Sequence, residues 1–421
     1  MAAASRMALL ACCSLLLPVT ALGKTWHIAV DHSGDAPTIQ AAIESCAEWD
    51  TILVGPGTYV ENLNFLGKNL WAHSASGPEL TIINGSTLAE SAVRFITGEL
   101  PTCVFEGFTV SGGSGHGDCG GGIYIDNSSP TIRNNIILEN HARFGGGVYV
   151  TSPSFNPALV SPLIDGNKIS SNSAEQGGGL YAHYADAVIT HNLFVGNNAS
   201  YCGGGACLRS ASPVLSFNQF RGNVAKLGGG LNVAYGSGNQ ATIVSFNLFA
   251  QNTATGDAVY GSGGGAAFQH VFVRIENNTF VENHGRSSTN GNAGGGLAST
   301  FSRNSEVIRN IIARNDGGGL YCRGDDFSFP TTYTDNLIWA NTDQNFVNGD
   351  YGGCGELGDS WLIADPEFCG AGSGDYSVAT TSPALGPGGP MGAFTEPGCG
   401  PVATRESTWG QLKARAWKPG H

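Results

Sequence analysis

Asp325 and Asp326 stand in tandem just after Arg323, with Arg303 and Glu306 upstream of them. Two carboxylates beside arginines can hold an acidic sugar or a cation, and paired acids are what general acid–base chemistry requires. The plain alternative is a solvated charged loop. Tyr124, Tyr149 and Tyr181 form a second candidate. Tyrosine joins an apolar ring to a polar tip, which suits a sugar; the alternative is packing beneath covering loops. His116, His141, His183, His191 and His284 are scattered without metal-ligand spacing, so no metal and no cofactor is expected.

A repeat positions these residues. Asn-x-[Ile/Phe]-x-x-Asn occurs eight times, from Asn135-Ile137-Asn140 to Asn336-Ile338-Asn341, at intervals of 25 to 32 residues. Three residues before each first Asn stands an apolar or aromatic residue, from Ile132 to Tyr333. Gly-Gly-Gly alternates with this pattern, beginning at Gly120, Gly145, Gly177, Gly203, Gly228, Gly263, Gly294 and Gly317. Apolar residues follow it at every second position, as in Ile123 and Ile125 or Leu231 and Val233. That alternation marks strands with one buried face. One such coil cannot bury its own apolar side, whereas coils stacked about 4.8 Å apart bury it and pair the backbone.

The repeat therefore predicts an all-β parallel solenoid in which like positions form columns. Asparagines should stack as amide ladders and take left-handed bends. The triple glycines should turn tight corners. Phe220, Phe249 and Phe280 should stack inside. Tyr124, Tyr149 and Tyr181 should form an outward strip, and replacing Tyr149 and Tyr181 by alanine should leave the fold unchanged. Two further outward columns carry acids. Asp165 and Glu276 lie four coils apart, roughly 19 Å, and Glu139 and Glu282 lie five coils apart. Neither column by itself brings two carboxylates together.

Composition narrows the function. The chain has 421 residues, 20 basic and 33 acidic, for a net charge of -13. An acidic chain without a basic block is a poor partner for nucleic acid. Arg6 followed by the apolar run Met7 to Leu17 and Pro18 reads as a secretory signal peptide over residues 1–23. That run is too short to span a bilayer, so a secreted or cell-surface protein with no transmembrane segment is expected. Export permits disulfides, and one is expected among Cys354, Cys369 and Cys399. The segment Ala36 to Cys46 places Ile39, Ala42, Ile43 and Cys46 on one face of a short helix that would cap the first coil. Residues 24–115 then form the cap and first coils, 116–345 the regular coils, 346–400 a C-terminal coil and cap, and 401–421 a loose tail.

Asp31-His32-Ser33-Gly34-Asp35, Thr38-Ile39-Gln40-Ala41-Ala42-Ile43 and Val54-Gly55-Pro56-Gly57-Thr58-Tyr59 resemble the opening of pectin-lyase-like, right-handed parallel β-helix proteins. The alternating Gly-Gly-Gly and Asn-bearing coils are similar to the repeats of polymorphic outer-membrane proteins and secreted bacterial β-helix proteins. The resemblance implies the fold; that fold hosts lyases, hydrolases, esterases, epimerases and non-catalytic binders. The aspartate motifs of pectin methylesterases are absent. Fragments similar to polygalacturonase motifs, Gly115-His116-Gly117 and Gly324-Asp325-Asp326, occur in the wrong order and roughly 34 Å apart at strand spacing.

The expectation is a secreted, non-catalytic β-helix that presents a surface to polysaccharide, cell-surface glycan or protein through Tyr124, Tyr149 and Tyr181. Its rivals are a polysaccharide lyase or hydrolase using Arg323, Asp325 and Asp326, and a purely structural surface protein. The sequence leaves the oligomeric state open.

Overall fold

The computed structural model describes residues 23–152, 160–236, 240–256, 262–286, 294–302, 304–323, 331–342, 346–348, 354–357 and 361–399. The expected signal peptide up to residue 22, the tail beyond residue 400, Arg303, Asp325 and Asp326 lie outside the described residues.

The chain is a right-handed parallel β-helix. Among the described residues, sheet A has 13 strands, from Thr25–Ile28 to Cys354–Leu357. Sheet B has 11, from Gly57–Val60 to Leu337–Trp339, and sheet C has 11, from Leu63–Asn64 to Phe346–Asn348. Strands pair in parallel with their counterparts one coil away, so the expected columns exist. Arg133 pairs with Asp165, Phe220 with Phe249, and Tyr124 with Tyr149.

The inward columns form one continuous core. Ile132, Ile164, Ile189, Leu215, Val244, Ile275 and Val307 are fully buried on sheet A, and Ile123 to Leu320 on sheet C. Phe194, Phe220, Phe249 and Phe280 stack with centroids 4.6, 4.8 and 4.7 Å apart.

The asparagines form two buried ladders at the corners flanking sheet B. Asn218 Nδ2 donates to Asn247 Oδ1 at 3.0 Å, and the same oxygen accepts the Asn218 backbone N–H at 2.9 Å. Asn223 repeats this with Asn252. The left-handed residue is not the ladder asparagine but the one before it: His191, Phe217, Phe246 and Asn277 have φ between 54° and 57°. The ladder amide must point into the core to meet the coils above and below, so the preceding residue takes the bend and its side chain points outward, where Asn277 is covered by the C-terminal segment and donates to Pro390 O at 2.8 Å.

The three glycines of each triplet serve two purposes. Gly145 has φ 63° and turns the corner. A Cβ on Gly146 or Gly147 would lie 2.4–2.5 Å from a carbonyl oxygen of the neighbouring coil, so these two permit the close stacking.

The N-terminal end is covered by the helix. The helix runs Ile39–Ser45, shorter than the segment from Ala36, because Thr38 is its N-cap and accepts the Ala41 N–H at 3.0 Å. Glu61 accepts the Ile39 and Gln40 N–H groups, and Lys68 Nζ donates to the carbonyls of Ile43, Glu44 and Cys46. Ile39, Ala42, Ile43 and Cys46 are buried against the first coil, as their spacing required. At the other end the chain turns back along the outside of sheet B. Tyr376 packs on Leu248, Ala250 and Val281 and donates to Glu282 at 2.8 Å. Cys369 and Cys399 are joined in a disulfide, one of the expected C-terminal pairings.

Candidate functional site

The two outward columns of sheet C and the corner columns beside it enclose a cleft of about 500 Å³. Its floor is Tyr149 and Tyr181, one wall is Cys119, Phe144 and Gln176, and the other is His183, Tyr184, Arg209 and Ser210. The strands Val148–Thr151, Leu180–His183 and Ala206–Arg209 are in register, which stacks Tyr149 on Tyr181 and His183 on Arg209. Arg209 reaches across the sheet, and its Nη1 donates to Gln176 Oε1 at 3.1 Å. The guanidinium thus spans the upper end of the cleft.

The tyrosine column is where the sequence placed it, but it is not a flat platform. The Tyr124 and Tyr149 rings are 5.4 Å apart and 5° from parallel; Tyr149 and Tyr181 are 5.6 Å apart and 9° from parallel. The rings face one another along the axis, so the cleft meets their edges and hydroxyls. Tyr181 is 5% exposed. It packs with Phe144, Leu227 and the Cys202–Cys207 disulfide. The column continues through Cys207, Asn232, Ala267, Ala298 and Tyr321, all buried. Tyr181 is therefore part of the packing across the corner, whereas Tyr124 and Tyr149 are only half-buried.

Burial sets the protonation of the cleft. It lowers the pKa of His183, and the Arg209 charge lowers it further, which favours the neutral imidazole. It raises the pKa of Tyr149 and Tyr181, which keeps both phenols protonated; Arg209 pulls Tyr181 partly back. The cleft combines a neutral imidazole, protonated phenols and a guanidinium. That set can hold a carboxylate, accept a proton and donate one.

Above the cleft, Tyr235, His270 and Phe301 continue one corner as a ladder with centroids 5.5 and 5.1 Å apart. The Arg209 guanidinium lies 5.2 Å from the Tyr235 ring and that of Arg323 5.4 Å from Phe301. Arg323 thus ends a sheet C strand. Glu306, its companion in the charged cluster, lies on sheet A and binds Arg274 at 2.7 Å. The described members of that cluster are on different sheets.

Glu276 and Glu306 both bind Arg274 on sheet A, which leaves the reading of single columns intact. They belong to different outward columns of adjacent strands. His183 and Arg209 are not singled out by the sequence. They occupy the fourth position after consecutive triple glycines, the outward column next to the tyrosines. Among the described residues no group of His, Cys, Asp and Glu is arranged to hold a metal ion, and no helix is long and apolar enough to cross a membrane.

No family model matches the chain, and no curated protein matches it either. Among solved structures the chain is similar to XylC in complex with xylose, at 10% identity over 76% of each chain and TM-score 0.50. It also matches a mannuronic acid specific polysaccharide family 6 lyase from human gut microbiota, at 14% identity over 78% of this chain and 82% of that one, TM-score 0.45. Pectin methylesterase from carrot follows at 13% identity over 84% and 95%, TM-score 0.31. At such identities the likeness is one of fold: the chain shares the parallel β-helix of the pectin-lyase-like proteins.

Proposed function

We propose that the chain is a secreted protein that binds an acidic polysaccharide along the outward face of sheet C. One observation carries this reading. A cleft lined by Tyr149 and Tyr181 is spanned by Arg209, whose Nη1 donates to the neutral amide of Gln176 rather than to a carboxylate. A uronate unit offers the carboxylate that the guanidinium lacks and hydroxyls for Tyr149 and Tyr181. Disulfides at Cys202–Cys207 and Cys369–Cys399 accord with export to an oxidising compartment.

A second reading, catalysis in the same cleft, is favoured by the neutral state of His183. The reaction is β-elimination. Arg209 pairs with the uronate carboxylate, and His183 removes the proton at C5. The electron pair forms the C4–C5 double bond and expels the glycosidic oxygen at C4, and the Tyr181 phenol protonates that oxygen. The enzyme rival based on Asp325 and Asp326 concerns residues outside the described structure.

Calorimetric titration with tetrasaccharides of galacturonic and mannuronic acid tests the binding reading. Arg209→Gln should weaken binding by roughly tenfold or more, the worth of a charged hydrogen bond. Unchanged affinity removes Arg209 from the site. Ultraviolet absorbance of an unsaturated product separates the two readings: binding without such product ends the catalytic one.

A further inference from the structure

One coil below the cleft, the same face carries a second group of polar side chains. Arg94 pairs across the ladder with Tyr124, and Asp126 stands two residues further along that strand, on the same outward side. Glu90 accepts from Arg94 Nη1 at 3.3 Å and lies 2.6 Å from His116 Nδ1. The His116 ring packs on Tyr124 at 5.3 Å, and the Tyr124 hydroxyl donates to Asp126 Oδ2 at 3.4 Å.

Two atoms of this group are left over. Arg94 Nε–H and Asp126 Oδ1 are buried and make no hydrogen bond among the described residues. Buried polar atoms are nearly always paired. An orphan donor and an orphan acceptor on adjacent coils of one face are therefore the mark of an absent polar partner. Burial also raises the pKa of Asp126, which keeps its carboxyl protonated further up the pH scale than that of an exposed aspartate.

We infer that Arg94 and Asp126 form a sugar subsite that takes the hydroxyl groups of one unit of the same chain whose carboxylate meets Arg209. This rests on the sheet C reading above. Asp126, Thr151, His183 and Arg209 are consecutive members of one column. Three coil spacings separate its ends, about 14 Å, so an oligosaccharide lying along the axis reaches both. Both side chains are partly exposed, so a rotation of each presents Arg94 Nε–H and Asp126 Oδ1 to a sugar hydroxyl, which accepts and donates at once. A carboxylate does not suit this end, because Glu90 already neutralises Arg94 and Asp126 stands beside it. The two ends therefore select different features of the ligand: charge at Arg209, hydroxyls at Arg94 and Asp126.

The test is calorimetric titration of the full chain with whichever tetrasaccharide, galacturonate or mannuronate, binds more tightly. Arg94→Leu and Asp126→Leu should each weaken binding by roughly tenfold or more. Asp126→Asn, which keeps an acceptor and adds a donor, should stay within about threefold of wild type. Wild-type affinity in both leucine variants, with Arg209→Gln still impaired, overturns the subsite and leaves the sheet C reading standing. If neither tetrasaccharide binds, or Arg209→Gln binds as wild type, the sheet C reading falls and the subsite with it. Leucine at either position could disturb packing, so the Arg94 Nε–H resonance of the wild-type protein gives an independent readout. It should shift on addition of the tetrasaccharide; an unmoved signal overturns the subsite.

Discussion

The ring of Tyr149 lies 5.6 Å from that of Tyr181 and within 9° of parallel, so the two rings occupy each other's faces and offer the cleft their edges. Stacking of a sugar on these faces is therefore closed off, and the phenolic hydroxyls are what a ligand meets. Tyr149→Phe and Tyr181→Phe should weaken tetrasaccharide binding several-fold while leaving the thermal midpoint close to wild type. Tyr181→Ala should instead destabilise by about 3 kcal/mol, as large-to-small changes at buried aromatic positions do. Calorimetry paired with thermal unfolding separates the two effects. Full binding by the double phenylalanine variant would show that the hydroxyls are not used.

Phe249 is fully buried between Phe220 and Phe280. Phe249→Ala should cost about 3–5 kcal/mol and lower the denaturant midpoint without changing the β-type circular dichroism at low denaturant. Stability equal to wild type would contradict an inward phenylalanine column.

Asn223 is worth more than its size suggests. Its Nδ2 donates to Phe194 O and Asn252 Oδ1, and its Oδ1 accepts the backbone and side-chain N–H groups of Asn197. Asn223→Leu leaves buried donors on Asn197 and the Phe194 carbonyl without partners, at about 1–3 kcal/mol for each. The loss should match or exceed that of Phe249→Ala in the same denaturation experiment. A change below about 1 kcal/mol would mean that water enters the ladder and replaces the amide.

His183 titrates below its ordinary value of 6.5, because burial and Arg209 both oppose the charged form. The folded state then binds fewer protons than the unfolded state just below pH 6.5. This group's contribution to stability is fully present above pH 6.5 and is lost as pH falls through the lower, folded value. If His183 is a general base, the acid limb of turnover should also lie below pH 6.5. A titration of its ring proton by magnetic resonance gives the midpoint directly, and a midpoint above 6.5 refutes the assignment.

The free cysteines of the cap and lower core should be inert. Burial pushes the Cys46 thiol up to about 11 and that of Cys103 up to about 12. Iodoacetamide at neutral pH should leave both unmodified in the native protein and label both after denaturation, as read by peptide mass. Rapid native labelling of Cys103 would mean that the lower coils open.

The sequence by itself determined the periodic part of this protein. Asn-x-[Ile/Phe]-x-x-Asn and Gly-Gly-Gly specify which residues face inward and which stack, because each position in a solenoid meets only its own kind one coil away. That rule placed Phe220 on Phe249 and Tyr124 beneath Tyr149 without any knowledge of the corners. The cap helix was equally legible, since Ile39, Ala42, Ile43 and Cys46 share a face at helical spacing.

What the columns could not supply is contact between columns. Gln176 meets Arg209 and Glu90 meets His116 only because corners bring neighbouring columns side by side. Glu276 and Glu306 share Arg274 for the same reason. The direction in which the tyrosine rings lie, and hence whether faces or hydroxyls reach a ligand, follows from the 4.8 Å coil spacing, which is close enough for one ring to cover the next. Likewise the return of Tyr376 onto Leu248 and Val281 depends on an apolar patch outside sheet B that exists only once the coils are stacked. Periodicity is local and can be read along the chain, whereas the cleft is a property of side chains from four coils meeting across two corners, and only the folded solenoid brings them together.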